Sequence, residues 1–190
     1  MRSLVLSFTA AAALLAGATS AQAATYAIDP THTFATFEIG HMGATTNRGR
    51  FDKKEGKIEF DRAAKPGKVE ITLDITSINT GTPGFDKHLQ SADLFNAAQF
   101  PTAKYENTGR TDNGDKGAES AGTLTLLGKT NPVTLKASQF NCYNSPMLKR
   151  EVCGGDFEAT IDRTAYGMNY GVDWGFPKNV RLVIQAEAIK

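Results

Sequence analysis

The sequence predicts an all-β chain with one short helix, its strands joined by hairpins into an antiparallel sheet that must cover its own apolar face. Three observations carry this. Segments of strand length alternate apolar and polar side chains, the period of a half-buried strand. Turns rich in Gly, Asn and Pro separate them at short intervals. Only one stretch, 82–99, carries the three- and four-residue apolar spacing of a helix.

The chain opens with Arg2, an apolar run from Leu4 to Leu15, and small residues ending in Ala21-Gln22-Ala23. A charged start, a short apolar core and an A-x-A site predict a secretory signal peptide over 1–23, leaving 24–190 as one exported domain. The apolar run is too short to span a bilayer comfortably. After Asp29-Pro30, Ala35, Phe37, Ile39 and His41 share one face of a strand, and Thr36, Glu38 and Gly40 the other. A polar turn is expected from Gly43 to Gly49. A second strand follows from Arg50-Phe51 through Phe60, and Pro66-Gly67 marks a turn. Val69, Ile71, Leu73 and Ile75 then alternate with Glu70, Thr72, Asp74 and Thr76.

From Thr82 the pattern changes. Thr82 stands where a cap belongs, Pro83 at the first helical position, and Phe85, His88, Leu89, Ala92 and Phe95 form one helical face. Phe100-Pro101 ends the helix. Strands resume at Ala103, Tyr105 and Asn107. Thr108 to Ser120 reads as a polar hairpin tip. Gly122–Leu127 and Val133–Phe140 form a hairpin across Gly128–Pro132, and Asn141–Gly155 reads as a cysteine-bearing loop. Phe157, Ala159, Ile161 and Arg163 line one face of the next strand; Val180, Leu182, Ile184, Ala186 and Ala188 line one face of the last.

Composition excludes several functions. Lys and Arg number 21 against 20 Asp and Glu, a formal charge of +1. No basic patch points to nucleic acid and no acidic tail to a cation store. Cys142 and Cys153, an even pair in an exported chain, predict a disulfide. His32, His41 and His88 lie on different elements. No H-E-x-x-H, G-x-S-x-G or G-x-G-x-x-G motif accompanies them, so each reads as a hydrogen-bonded structural histidine.

The inward positions mix small residues (Ala35, Ala103, Ala137, Ala159, Ala186, Ala188) with large ones (Phe37, Phe60, Tyr105, Phe157). Such a sheet either packs on a second sheet or curls into a barrel. Aromatic rings and the helix either fill the interior or leave room for one small ligand. The candidate lining is Ala35, Phe37, Ile39, His41, Phe60, Phe95, Tyr105, Leu124, Leu126, Ala159, Ile161 and Arg163. Arg163 is the one inward cation. It requires a partner, with Asp86 the expected carboxylate, or it anchors a ligand head group.

Several motifs together resemble the YceI-like family, lipocalin-like barrels that bind polyisoprenoid lipids. They are Asp29-Pro30, His32-Thr33, Phe37 and His41; Gly49 and Phe51; Ser77-Ile78-Asn79-Thr80; Asp86, His88-Leu89, Ser91, Asp93, Phe95 and Phe100-Pro101; the hairpin Gly122–Val133; and Arg163 with Tyr166-Gly167-Met168. The likeness runs over essentially all of 24–190. Phe85 stands where family members often carry Arg, and the Cys142–Cys153 segment is not general to the family. The resemblance implies an eight-stranded antiparallel barrel with a helix across one opening. It implies a periplasmic binding protein, not an enzyme, that holds a polyisoprenoid or quinone-like tail with no cofactor besides that lipid. It implies neither nucleic-acid binding nor stable membrane insertion, and admits a homodimer. The other classes weighed are a metal- or haem-linked protein using the histidines, and a hydrolase.

Overall fold

The computed structural model describes residues 23–60, 67–112 and 118–190. Residues 1–22 of the expected signal peptide lie outside the described residues, as does Pro66 of the expected Pro66-Gly67 turn. The expected Thr108–Ser120 tip is shorter than predicted, because strands run to Asp112 and resume at Ala118, with only 113–117 between them outside the described residues. Eleven strand segments follow in order: β1 (Ala24–Ile28), β2 (Phe34–His41), β3 (Thr45–Phe51), β4 (Lys54–Phe60), β5 (Lys68–Asp74), β6 (Ile78–Asn79), β7 (Thr102–Asp112), β8 (Ala118–Leu126), β9 (Lys129–Asn144), β10 (Glu151–Asp162) and β11 (Asn179–Ile189). One helix, α1 (Pro83–Leu89), lies between β6 and β7.

The eleven segments make eight staves. β1 and β2 form one stave bent at Asp29–Thr33, β3 and β4 a second bent at Asp52-Lys53, and β5 and β6 a third, broken by a 3-10 turn at Ile75–Ser77. Each stave pairs antiparallel with the next, and β11 closes the ring against β2 (Leu182 opposite Phe37) and β1 (Ala27 opposite Ile189). The predicted eight-stranded antiparallel barrel is the fold. Across its outer face Arg181 bridges Glu38 and Glu158, and Arg48 also reaches Glu38, so one cross-strand charge ladder spans β3, β2, β11 and β10.

Two of these bends and the turn that ends β10 share a chemistry. In Asp29-Pro-Thr31, Asp74-Ile-Thr76 and Asp162-Arg-Thr164 the carboxylate Oδ1 accepts from the backbone N–H of the Thr at 2.8 Å and from its hydroxyl at 2.6 Å. Each aspartate thus satisfies the amide that the turn removes from the ladder. At the first bend the Thr33 hydroxyl also donates to the Glu187 carbonyl at 3.0 Å and accepts from the Glu187 amide at 3.1 Å, bridging β11 across the gap between β1 and β2.

Four further local expectations change. β3 begins at Thr45, so the turn after β2 is Met42–Ala44, not Gly43–Gly49. The inward positions of β3 are Asn47, Gly49 and Phe51, and a strand whose inner face is mostly polar or bare shows no alternation. Gly49 is bare because the Phe37 ring lies across it: a Cβ there would sit 2.4 Å from Phe37 Cζ. The helix ends at Leu89, not near Gln99. Beyond it the Phe95 amide bonds back to the Leu89 carbonyl at 2.9 Å and Asn96 is left-handed, which turns Phe95 inward onto Phe37 and Phe51. Thr82 occupies the cap position without a side-chain cap bond. Finally, the cysteines sit on paired strands, Cys142 opposite Cys153 with Sγ–Sγ 2.02 Å, and only Ser145–Arg150 forms the loop. Two adjacent glycines, Gly154 and Gly155, hide the strand pattern there.

Two tests follow from this packing. Gly49→Ala should lower unfolding stability by about 1–3 kcal/mol in urea titrations, since Phe37 must move. Gly84→Ala on α1, where a Cβ meets nothing within 4 Å, should not destabilise. The bend at Asp29 carries a pH signature. Burial works to raise the Asp29 carboxyl, but hydrogen bonds from His32 and Thr31 outweigh it and hold the group at about 2. The same bond to Asp29 raises the exposed His32 imidazole above 6.5. A depressed Asp29 stabilises above its unfolded value near 3.8 and loses that contribution as pH falls toward about 2. A raised His32 stabilises below 6.5 and loses its contribution as pH rises through its folded value. The urea midpoint of the native chain should therefore fall more between pH 6 and 8 than that of His32→Asn.

Candidate binding cavity

Inside the barrel lies a cavity of about 490 Å³, lined almost wholly by apolar side chains from all eight staves and α1. Its size is that of a small-ligand site. Ala35, Phe37, Ile39 and His41 of β2 line it, with Phe95, Tyr105, Leu124, Leu126, Ile161 and Arg163. Two candidates stand apart. The Phe60 side chain lies outside the described residues. Ala159 faces inward and packs against the core cluster, yet it is not in the cavity wall. Its cross-strand partner Leu182 reaches the void, and a methyl group does not extend as far. The strands β5 and β11 add Val69, Ile71, Leu73, Val180, Leu182, Ile184 and Ala186. Their alternation was plain in the sequence, and they belong in any lining list.

The polar atoms within the barrel are largely spoken for. The Tyr105 hydroxyl donates to the Ser120 carbonyl at 2.8 Å, Asn107 Nδ2 donates to Ser120 Oγ at 2.7 Å, and Asn107 Oδ1 accepts from the Val69 amide at 2.7 Å. This network ties β5, β7 and β8 together, and burial pushes the Tyr105 hydroxyl pKa up. Beyond it the cavity ends. Tyr26, Ala188 and Cys153 are buried against Ile58, Ala24 and Cys142, forming a floor, and the Tyr26 hydroxyl donates to Glu151 Oε2 at 3.2 Å. The disulfide is part of that floor.

The other end is a mouth. α1 supplies Phe85, His88 and Leu89, and the segment 167–177 supplies Met168, Tyr170, Trp174 and Phe176. Arg163 holds that segment. It is 3% exposed, and its Nε donates to the Pro177 carbonyl at 2.9 Å while Nη1 donates to the carbonyls of Met168 and Tyr170 at 2.9 and 2.8 Å. Burial lowers its pKa while the charge of Asp162 works to raise it. The expected pairing with Asp86 does not form. Asp86 instead accepts from the Thr80 amide at 2.7 Å and the Thr80 hydroxyl at 2.6 Å, closing the loop before α1. A guanidinium has five donors in a flat fork and can serve several carbonyls at once, so it needs no carboxylate here.

The structure does not bring the histidines together. His32 bonds Asp29 at 2.8 Å, His41 meets the Phe176 ring edge-on at 5.3 Å, and His88 meets Tyr170 at 5.1 Å. Among the described residues, the groups spaced for a metal are Asp29, His32 and Glu187, and the Cys142, Glu151 and Cys153 set, whose sulfurs are bonded to each other. The aromatic mouth residues Tyr170, Trp174 and Phe176 escaped sequence reading because they sit in turns, where no periodicity marks them. The signal available was their interleaving with Gly171 and Gly175.

A closed barrel around an apolar cavity is the architecture of β-barrels that can enclose one small ligand. The sequence profile of the YceI-like domain matches residues 26–188. Relatives include a UPF0312 protein of Pseudomonas paraeruginosa, 36% identical over 174 residues (90% of this chain, 89% of that one), and Protein YceI of Escherichia coli O157:H7, 34% identical over 183 residues (94% of each). The chain belongs to the YceI-like family. Similar solved structures include BcnA of Burkholderia cenocepacia (TM-score 0.71, 21% identity, 85% of this chain and 99% of that one). A polyisoprenoid binding domain from Saccharophagus degradans, implicated in plant cell wall breakdown, is another (TM-score 0.60, 17% identity, 86% and 97%). These two likenesses establish the shared fold. No helix among the described residues is long and apolar enough to cross a membrane.

The Arg163 fork predicts its own test. Arg163→Met should strip three carbonyls of their donors and lower stability by on the order of 3 kcal/mol. Amide exchange over 168–177 should rise more than over β9. Arg163→Lys should recover little, because a single ammonium cannot reproduce the fork.

Proposed function

We propose that this chain is an exported, periplasmic binding protein that holds a long apolar lipid of the polyisoprenoid type in the barrel interior. The observation that carries this is the cavity: apolar along its length, floored at one end and open at an aromatic mouth. The energetics suit a carrier. Each buried CH₂-sized group is worth roughly 0.8 kcal/mol, so a few isoprene units supply many kcal/mol gross. Ordering the flexible chain returns much of that, and binding stays reversible. The polyisoprenoid binding of the Saccharophagus domain, which shares the fold, supports the ligand class. The A-x-A signal and the Cys142–Cys153 pair support export. Holding such a ligand requires no catalytic group.

Native mass spectrometry of protein produced in an exporting host should reveal a co-purifying lipid that organic extraction releases. Ala186→Phe, which fills the cavity near its floor, should weaken uptake of a polyprenol from a cyclodextrin donor by about tenfold or more, a loss of about 1.4 kcal/mol or greater. Gln185→Phe, on the outer face of the same strand, should leave it unchanged. No lipid in the native protein together with no polyprenol uptake would sink this reading.

A further inference from the structure

The mouth carries more apolar surface than the cavity needs. Trp174 is 62% exposed, Met42 57% and Tyr170 38%. The two rings are held, not loose. Trp174 meets Tyr170 edge-on at 5.2 Å, Tyr170 meets His88, and the Arg163 fork fixes the Tyr170 backbone. Met42 follows His41, whose ring meets Phe176, in the tight turn between β2 and β3. Its φ is +50°, a left-handed value that Asn adopts far more readily than an unbranched apolar residue. The turn thus sets an exposed thioether at the rim on a backbone that its side chain disfavours.

Trp and Tyr rings with apolar bodies and polar edges are the chemistry of a membrane–water interface. The exposed charges beside the rim are of both signs: Lys87 on α1, Asp173 beside Trp174, and Lys178 after Pro177. Such a rim does not select anionic headgroups. The apolar patch is also continuous with the cavity, because Tyr170 and Trp174 both line it. We propose that the mouth docks reversibly on the surface of a lipid bilayer. Trp174, Tyr170 and Met42 then enter the interfacial layer, so that an apolar chain passes between membrane and cavity without crossing water. This rests on the reading of the cavity as a lipid site. A few side chains at interfacial depth give weak, reversible attachment, as a carrier requires.

The single tryptophan of the chain is at this rim, so its emission is a native probe. Phosphatidylcholine vesicles should shift Trp174 emission to the blue, and brominated phosphatidylcholine should quench it, with little effect of added salt. The shift should persist in Ala186→Phe, whose cavity is filled. Trp174→Ser and Met42→Asn should each reduce flotation with vesicles by about tenfold, the equivalent of about 1.4 kcal/mol. Met42→Asn should raise thermal stability, slow polyprenol uptake from vesicles, and leave uptake from cyclodextrin unchanged. Unshifted emission and no flotation, with cyclodextrin uptake intact, overturn docking while the cavity reading stands. No uptake from either donor overturns the cavity reading itself. A shift seen only with anionic vesicles and reversed by salt, or rim-dependent binding to a protein and not to vesicles, also overturns the proposal.

Discussion

Closure of the backbone ladder is the constraint from which the rest of this molecule follows. Once β11 pairs with β10 on one side and with β1 and β2 on the other, the wall satisfies its own amides and carbonyls. Most small domains hold their sheets together by filling the space behind them. Here the wall is also fastened edge to edge, so interior packing is not its sole support. A void can then persist where a sandwich would collapse onto it. The Tyr105–Ser120–Asn107 network adds cross-links between three neighbouring staves at the cavity wall.

The bends in the wall and the loop at its mouth are held by one economy of means: short polar groups that take over backbone bonds lost at a turn. Three Asp-x-Thr units do this with carboxylates, accepting amides. Arg163 does the converse with a cation, donating to carbonyls. A buried guanidinium without a carboxylate hydrogen-bonded to it ordinarily carries a heavy desolvation penalty. Carbonyl dipoles arranged around a planar fork offset it. The guanidinium is therefore part of the mouth's framework, and its presence in the cavity wall follows from the place where the loop is anchored.

The barrel was legible because its strongest strands have one face against an apolar interior, so β2, β5, β10 and β11 print their phase directly. Legibility failed where the inward side chain was absent or polar. Asn47 and Gly49 concealed β3, and Gly154 and Gly155 concealed the start of β10. It failed again where helical spacing continued past the helix: Ala92 and Phe95 keep the period although Asn96 reverses the chain. At the site, alternation placed most lining residues on the inward face, but phase alone does not report reach, and Ala159 falls short for that reason. The partner of Arg163 was misread because a buried arginine invites a search for a carboxylate. Backbone carbonyls leave no mark in a sequence. The Asp-x-Thr bends were in plain view and become informative only as a recurring unit.

A lumen floored by Tyr26, Ala188 and the disulfide has consequences for any linear guest. Such a tube is a gauge. A chain shorter than its depth disappears within it, and a longer one stops at the floor with its surplus standing above the rim. Guests that differ only in length would thus present their terminal groups at different heights over Trp174 and Tyr170. Discrimination among them needs no contact inside that distinguishes one methylene from the next. For such a guest the floor would set the zero of the scale, and the rim would be where it is read.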